Sequence, residues 1–154
     1  MKFSAQEEYG LRCLLRIAQD ESENGMTIPE ISEAEGLSSH TVAKLLRALR
    51  IGGLLESKRG QTGGYSLTRK PDEISVGEAL AVLGGRLYDE NFCAIHSGIK
   101  DICTHTIDCS IRSLWRIIQD SVDGVVGNLT LQDLLSSENE IIEKVSDEKY
   151  DNKL

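Results

Sequence analysis

Apolar residues return along the first part of the chain at the interval of a helix that buries one face. Leu11, Leu14, Leu15 and Ala18 share a side behind Ser4-Ala5-Gln6-Glu7, a capping box in which hydroxyl and carboxylate serve the free amides of a first turn. The pattern predicts a helix from about Ser4 to Asp20, then a polar loop over Glu21 to Gly25. Thr27-Ile28-Pro29-Glu30 repeats the box, with Pro29 in the first turn where a missing N–H is harmless. A short helix to about Glu35, a turn at Gly36 and a helix capped by Ser38 and running from Ser39 to Ile51 follow, ended by Gly52-Gly53. Leu54 to Ser57 and Tyr65 to Thr68 read as short strands joined by the glycine-rich run Gly60 to Gly64. Ser75 caps a further helix reaching about Leu83, and Gly84 to Asp108 shows no clear period. From Cys109, the residues Ile111, Leu114, Trp115, Ile118, Val122, Val125 and Val126 form a broad apolar stripe on one long helix. A short helix over Thr130 to Leu135 closes the patterned region. The tail from Ser136, rich in Glu, Asp, Lys and Ser, is expected to be a frayed helix or disordered.

With 154 residues and 40% apolar content the chain can bury one core of ordinary size, and its scarcity of aromatics (5%) disfavours a sheet-rich sandwich. No apolar run approaches bilayer-spanning length and no apolar leader opens the chain, so the expectation is a soluble, cytoplasmic protein with no membrane partner. The net charge of −8 argues by itself against nucleic acid, but its distribution reverses the inference. Lys44, Arg47, Arg50, Lys58, Arg59, Arg69 and Lys70 face Glu56 alone between Ser38 and Lys70; seven positive charges less one leave +6 there and −14 on the remainder. A solvated basic face would have the same composition, so position decides.

The positions favour a reader of double-stranded DNA. Helix, tight turn at Gly36 and helix is the helix-turn-helix arrangement. Val42, Leu45, Leu46 and Leu49 share one face of the second helix, while His40, Lys44 and Arg47 fall opposite, the division a recognition helix needs to anchor in a core and enter a major groove. A lone amphipathic helix is weak support, and the basic hairpin behind it strengthens the case. Lys58-Arg59-Gly60-Gln61 reads as a wing whose glycines let backbone approach a phosphate chain and whose Arg59 suits a narrow minor groove. Ser38, Ser39, His40, Lys44, Arg47, Lys58, Arg59 and Gln61 are the DNA-contacting candidates.

Cysteine supplies the other chemistry. Cys13, among Leu11, Leu14 and Leu15, reads as a core thiol. Cys93, Cys103 and Cys109 are spaced C-x9-C-x5-C, the first two in the aperiodic segment and the third at the start of the long helix. Thiolates suit iron–sulfur clusters or zinc. The paired C-x-x-C knuckles of many zinc sites are missing, and spacing alone leaves metal binding and unrelated thiols equally open.

The stretch Gly60-Gln61-Thr62-Gly63-Gly64-Tyr65-Ser66-Leu67-Thr68-Arg69 resembles the wing of the Rrf2 family of bacterial regulators, whose pattern is G-x-x-G-G-Y-x-L-x-R. The opening Met1-Lys2-Phe3-Ser4 and the stretch from Ile31-Ser32-Glu33 to Leu54-Leu55 resemble it too, so the likeness covers roughly residues 1 to 135. It implies a mainly α fold: a winged helix-turn-helix over 1–83 with a small β-hairpin wing, a cluster-binding loop over 84–108, a long dimerisation helix with a short capping helix over 109–135, and an acidic tail over 136–154. It also implies a homodimer held through the stripe. Cluster-bearing members, which sense iron–sulfur supply or nitric oxide, carry three cysteines in this region. The resemblance therefore implies Cys93, Cys103 and Cys109 as ligands of an iron–sulfur cluster, [2Fe-2S] ahead of [4Fe-4S], with oxidants or nitric oxide acting on it.

This chain departs from those members in three respects. The gap between Cys93 and Cys103 is longer, and Arg112 stands where a histidine ligand is found, which an arginine cannot replace. The fourth ligand is open between Glu8, supplied as in some members by the partner subunit and slightly preferred, and the local His105 and His96. Ala43 replaces an acidic base-reading residue and His40 a serine, which implies a different operator. The functional expectation is a transcription regulator with a cluster as sensor. The alternatives are a cluster-free regulator using thiols or zinc and an electron-transfer iron–sulfur protein; no nucleophile–base pair or phosphate loop points to an enzyme.

Overall fold

The structure, a computed structural model, describes residues 3–58, 63–89, 91–99, 103, 105 and 108–151. Helices α1 (Ala5–Ala18), α2 (Ile28–Glu35) and α3 (Ser39–Ile51) precede strands β1 (Leu55–Ser57) and β2 (Tyr65–Leu67). A 3₁₀ turn (Pro71–Glu73), α4 (Val76–Leu83), the single-turn α5 (Phe92–Ile95), α6 (Ser110–Val126), α7 (Leu131–Leu134) and α8 (Glu138–Asp151) complete the described elements. This is the mainly helical, winged helix-turn-helix class that the pattern predicts.

Both capping boxes form. Ser4 N–H donates to Glu7 Oε2 at 2.6 Å and Thr27 N–H to Glu30 Oε2 at 2.7 Å, while each hydroxyl accepts the amide three residues on. Gly36 closes α2 at φ 65°, in the left-handed region where a side chain is strained. The core lies where α1, α2, α3 and β1 meet: Leu14, Ile31, Val42, Leu46, Leu49 and Leu54 are fully buried. Each contributes about 1.5–3 kcal/mol of apolar transfer. Cys13 belongs to this cluster, as its surroundings predict; burial, with Glu35 nearby, pushes its thiol up to about 11 against the lowering pull of Arg12. It is therefore an inert, protonated packing group.

Two further contacts fix the helical head. Glu35 ends α2, where a carboxylate opposes the helix dipole. It sits between α1 arginines: Arg12 Nε lies 3.0 Å from Oε2 and Arg16 Nε 2.7 Å from Oε1, and Arg12 also donates to the Glu35 carbonyl at 2.6 Å. Burial raises the Glu35 pKa, but the hydrogen bonds and charges of Arg16 and Arg12 outweigh it and hold the carboxyl below its usual range. At Gly10, a Cβ would overlap Leu83, so the missing side chain is what lets α4 lie against α1; Gln6 Nε2 also donates to the Leu83 carbonyl.

The strands pair antiparallel with Leu55 opposite Leu67 and Ser57 opposite Tyr65. Tyr65 also pairs with Met26 in the loop after α1: Met26 N–H donates to Tyr65 O at 3.0 Å and Tyr65 N–H to Met26 O at 2.7 Å. Gly64 N–H donates to Asn24 O at 2.9 Å, and a Cβ on Gly64 would overlap the backbone of Gly25 and Met26.

Three elements differ from expectation. The 3₁₀ turn and α5 are one-turn segments too short for periodicity to mark. The tail, expected to be a frayed helix or disordered, takes the helical alternative as α8 and is capped rather than frayed at its start: Ser137 N–H donates to Glu140 Oε2 at 2.7 Å. Lys144 Nζ, 2.7 Å from Asp133 Oδ2, ties α8 to α7. Among the described residues, no helix is long and apolar enough to cross a membrane.

Gly64→Ala should cost about 1–3 kcal/mol, because backbone rather than a flexible side chain must yield; a lowered urea midpoint with unchanged slope is the expected result. A carboxyl held below its unfolded pKa adds stability above that pKa and loses it as pH falls through the folded value. Denaturation between pH 7 and pH 3 should therefore show stability falling below about pH 5. Glu35→Gln should be about 1–2 kcal/mol less stable at pH 7, given the solvent-screened arginines, and should show a shallower acid decline.

Candidate nucleic-acid interface and thiol centre

α3 divides as its sequence predicts. Val42, Leu45, Leu46 and Leu49 are buried, while Ser38, Ser39, His40, Lys44 and Arg47 are exposed. Ser38 is also the helix cap: its Oγ accepts Thr41 N–H at 3.2 Å and lies 2.9 Å from Thr41 Oγ1. Ser39 Oγ reaches Ser32 Oγ at 3.3 Å, tying the start of α3 to α2. His40, Lys44 and Arg47 thus form a solvent-facing row on a helix whose opposite side is locked in the core.

The hairpin carries Lys58; its Nζ donates to the Glu23 carbonyl and its N–H to Gly64 O at 3.0 Å. Arg59 and Gln61 lie outside the described residues. The glycines, expected to admit a phosphate chain, have a nearer purpose at Gly64, where the backbone approached is the protein's own. Arg69, in the same basic segment, is paired with Glu78.

The three candidate ligand cysteines come together. Cys93, Cys103 and Cys109, all free and half-buried, line one cavity of about 250 Å³ with Ala94, Ser97, His105 and Arg112. Cys109 is the N-cap of α6, its Sγ accepting Arg112 N–H at 3.4 Å. The Tyr88 hydroxyl lies 3.7 Å from Cys93 Sγ, a contact that with burial raises the tyrosine pKa. Three soft donors around one cavity, opening on a helix N-terminus, suit iron–sulfur or zinc in kind. The thiols are gathered but not closed into a cage: among the described residues no three of His, Cys, Asp and Glu are grouped tightly enough to hold a metal ion.

The fourth-ligand candidates separate. His105 lines the cavity. His96 does not: its Nδ1 lies 2.8 Å from the Phe92 carbonyl and its ring stacks on Phe92 at 4.2 Å. Glu8 is exposed on α1, away from the lining. Arg112, which cannot ligate, occupies the wall.

Sequence reading missed one group. Gln119 lies on α6 with only 4% exposure; its Oε1 accepts Tyr88 N–H at 2.9 Å and its Nε2 donates to Asp123 Oδ1 at 2.7 Å, while Asp123 pairs with Arg86. The available signal was an amide one turn after Trp115, within the apolar stripe.

Comparison with known proteins gives the family. Residues 3–137 match the Rrf2 family, described as Iron-dependent Transcriptional regulator. The HTH-type transcriptional regulator CymR of Bacillus subtilis is 32% identical over 88% of this chain and 91% of its own length. The HTH-type transcriptional regulator IscR of Aliivibrio salmonicida is 31% identical over 96% of this chain and 83% of its own. Among solved structures, T. potens IscR superposes with a TM-score of 0.67 at 32% identity, covering 88% of this chain and 86% of that one. The structure titled as CymR, the global cysteine regulator of B. subtilis, does so with 0.64 at 30%, covering 88% and 96%. With a family match across most of its length, a helix-turn-helix head and relatives that are regulators rather than enzymes, the chain belongs to the Rrf2 family of DNA-binding transcription regulators.

Proposed function

We propose that this regulator acts as a cytoplasmic homodimer whose operator affinity is set by Cys93, Cys103 and Cys109 holding an iron–sulfur cluster. The observation that carries the reading is that these three thiols, spread over the segment before α6, line one cavity at the beginning of that helix. Dimerisation draws support from α6 itself. Ile111, Leu114 and Ile117 are 52%, 50% and 63% exposed, an apolar face that a second copy would cover. Paired heads would present α3 from each subunit to the half-sites of an inverted repeat, with His40, Lys44 and Arg47 at the groove and Lys58, Arg59 and Gln61 at the backbone or minor groove.

When bound, a cluster would supply an iron centre that changes oxidation state, reacts with nitric oxide or is lost, [2Fe-2S] being favoured over [4Fe-4S]. The chain's own part is to hold it with Cys93, Cys103 and Cys109, to complete the set with Glu8 from the other subunit or with His105, and to keep Arg112 beside it as an uncoordinating cation. A signal changes transcription only if the two thiol states bind DNA differently.

A second reading has its own support. CymR is as similar to this chain as IscR, its B. subtilis form is titled a cysteine regulator, and a Staphylococcus aureus CymR structure, 28% identical with a TM-score of 0.66, is titled an oxidized form. On this reading the same three cysteines act as thiols, without a cluster.

Arg47→Ala should weaken operator binding about tenfold and lower the salt slope by about one, measured by fluorescence anisotropy over a salt series. Unchanged affinity and slope would remove α3 from the interface. Anaerobically purified protein should be coloured and contain iron and sulfide, and Cys109→Ser should lose both. A colourless, iron-free protein whose DNA affinity still changes on thiol oxidation would establish the thiol reading instead; equal affinity in every state would end both.

A further inference from the structure

Among the described residues Gln119 is the one buried polar side chain, and an amide in an otherwise apolar helix face needs partners for both its ends. It finds them on two different bodies. Toward the thiol loop, Oε1 holds the Tyr88 amide at 2.9 Å, and the same tyrosine brings its hydroxyl to 3.7 Å from Cys93 Sγ and its ring to 5.3 Å from Phe92, the neighbour of Cys93. Toward the body of α6, Nε2 holds Asp123 at 2.7 Å, and Asp123 pairs with Arg86 in the segment after α4. Cys93, Tyr88 and Gln119 border one cavity of about 830 Å³, so the path from sulfur to helix is continuous.

We propose that Gln119 is the positioning residue that couples the thiol loop to α6, so that a change at the Cys93 sulfur is passed through Tyr88 and Gln119 to the helix. This rests on the reading that the thiols are sensory. The physical reason is exclusivity. A buried amide that loses one partner is left unsatisfied, so moving Tyr88 away while α6 stays in place is disfavoured. A modification that enlarges Cys93 or redirects its lone pairs displaces the Tyr88 hydroxyl, strains the Tyr88 amide on Gln119, and shifts the balance at Asp123 and Arg86. An apolar residue at 119 would remove the bond to the Tyr88 amide and leave the Arg86–Asp123 pair as the remaining polar tie between this loop and α6.

The test uses the full chain with Cys103→Ser and Cys109→Ser, so that N-ethylmaleimide reports on Cys93; Cys13 is buried and protonated. Alkylation in this background should speed hydrogen exchange at the Tyr88 amide and at residues 115–123 by about tenfold and shift the emission of Trp115, the single tryptophan, one turn from Gln119. Gln119→Met should confine the response to the loop. Tyr88→Phe, which removes the hydroxyl but keeps the amide bond and is the milder change to the fold, should reduce the α6 response below about twofold. The pair Gln119→Glu with Asp123→Asn, which exchanges donor and acceptor, should restore it. An α6 that ignores alkylation in the parent, or that responds in Gln119→Met and Tyr88→Phe as strongly as it does in the parent, overturns the coupling. Operator affinity of the chain with all three cysteines, measured in each thiol or cluster state, separates the two ideas: a responding α6 in the alkylated variant with the same DNA affinity in every state of the three-cysteine chain leaves the coupling standing and removes the sensory reading.

Discussion

The reading head depends on a strip of backbone laid against backbone. Asn24 and Met26, in the first loop, share hydrogen bonds with Gly64 and Tyr65 at the base of the wing, and neither Gly25 between them nor Gly64 leaves space for a side chain. The contact converts a two-stranded hairpin, which would be marginal alone, into a ribbon with a third line of hydrogen bonds. It also fixes the wing to the end of α1, whose other face is joined by Arg12 and Arg16 to the carboxylate that ends α2. Hairpin, α1, α2 and α3 are thus one rigid unit. The basic row of α3 and the base of the hairpin therefore belong to one packed unit, as a protein reading groove and backbone together requires.

Outside this unit the structure is held more loosely and by different means. α4 reaches α1 through the space left at Gly10, and α6 reaches α4 where Val126 meets Gly77. Most of the remaining apolar face of α6 is open to solvent in a single chain. Polar bonds do more of the joining here: the Gln119 amide, the Arg86–Asp123 pair and the Lys144–Asp133 pair. A rigid head with a more polar, partly uncovered rear is the distribution of stiffness expected where one end recognises and the other responds.

Much of this was legible in the sequence because it is encoded locally. Capping boxes, glycine stops and apolar spacing place the helices within a residue or two, since each is a matter of which amides and which face need cover. The division of α3 into buried leucines and exposed His40, Lys44 and Arg47 is the same information. What was hidden is encoded by distant pairs. The burial of Gln119 depends on a Tyr88 amide that no spacing connects to it, and the necessity of Gly64 lies in a loop far back in the chain. The thiol spacing left a shared site open and only the family resemblance implied one; that His105 faces the cavity while His96 turns to Phe92 follows from a one-turn helix too short to leave a period.

One feature of the thiol centre reaches beyond it. The atom that closes the first turn of α6 is the sulfur of Cys109, where oxygen from Ser, Thr, Asp or Asn usually stands. A sulfur acceptor holds an amide at longer range and more softly, and its electron density is changed by any bond it forms elsewhere. The first turn of α6 is thus capped by the atom of Cys109 whose bonding is open to change, while the Cys109 carbonyl takes Ser113 N–H at 3.1 Å and Ser113 Oγ at 3.3 Å: a new bond at the sulfur would loosen the cap and leave the turn on that carbonyl.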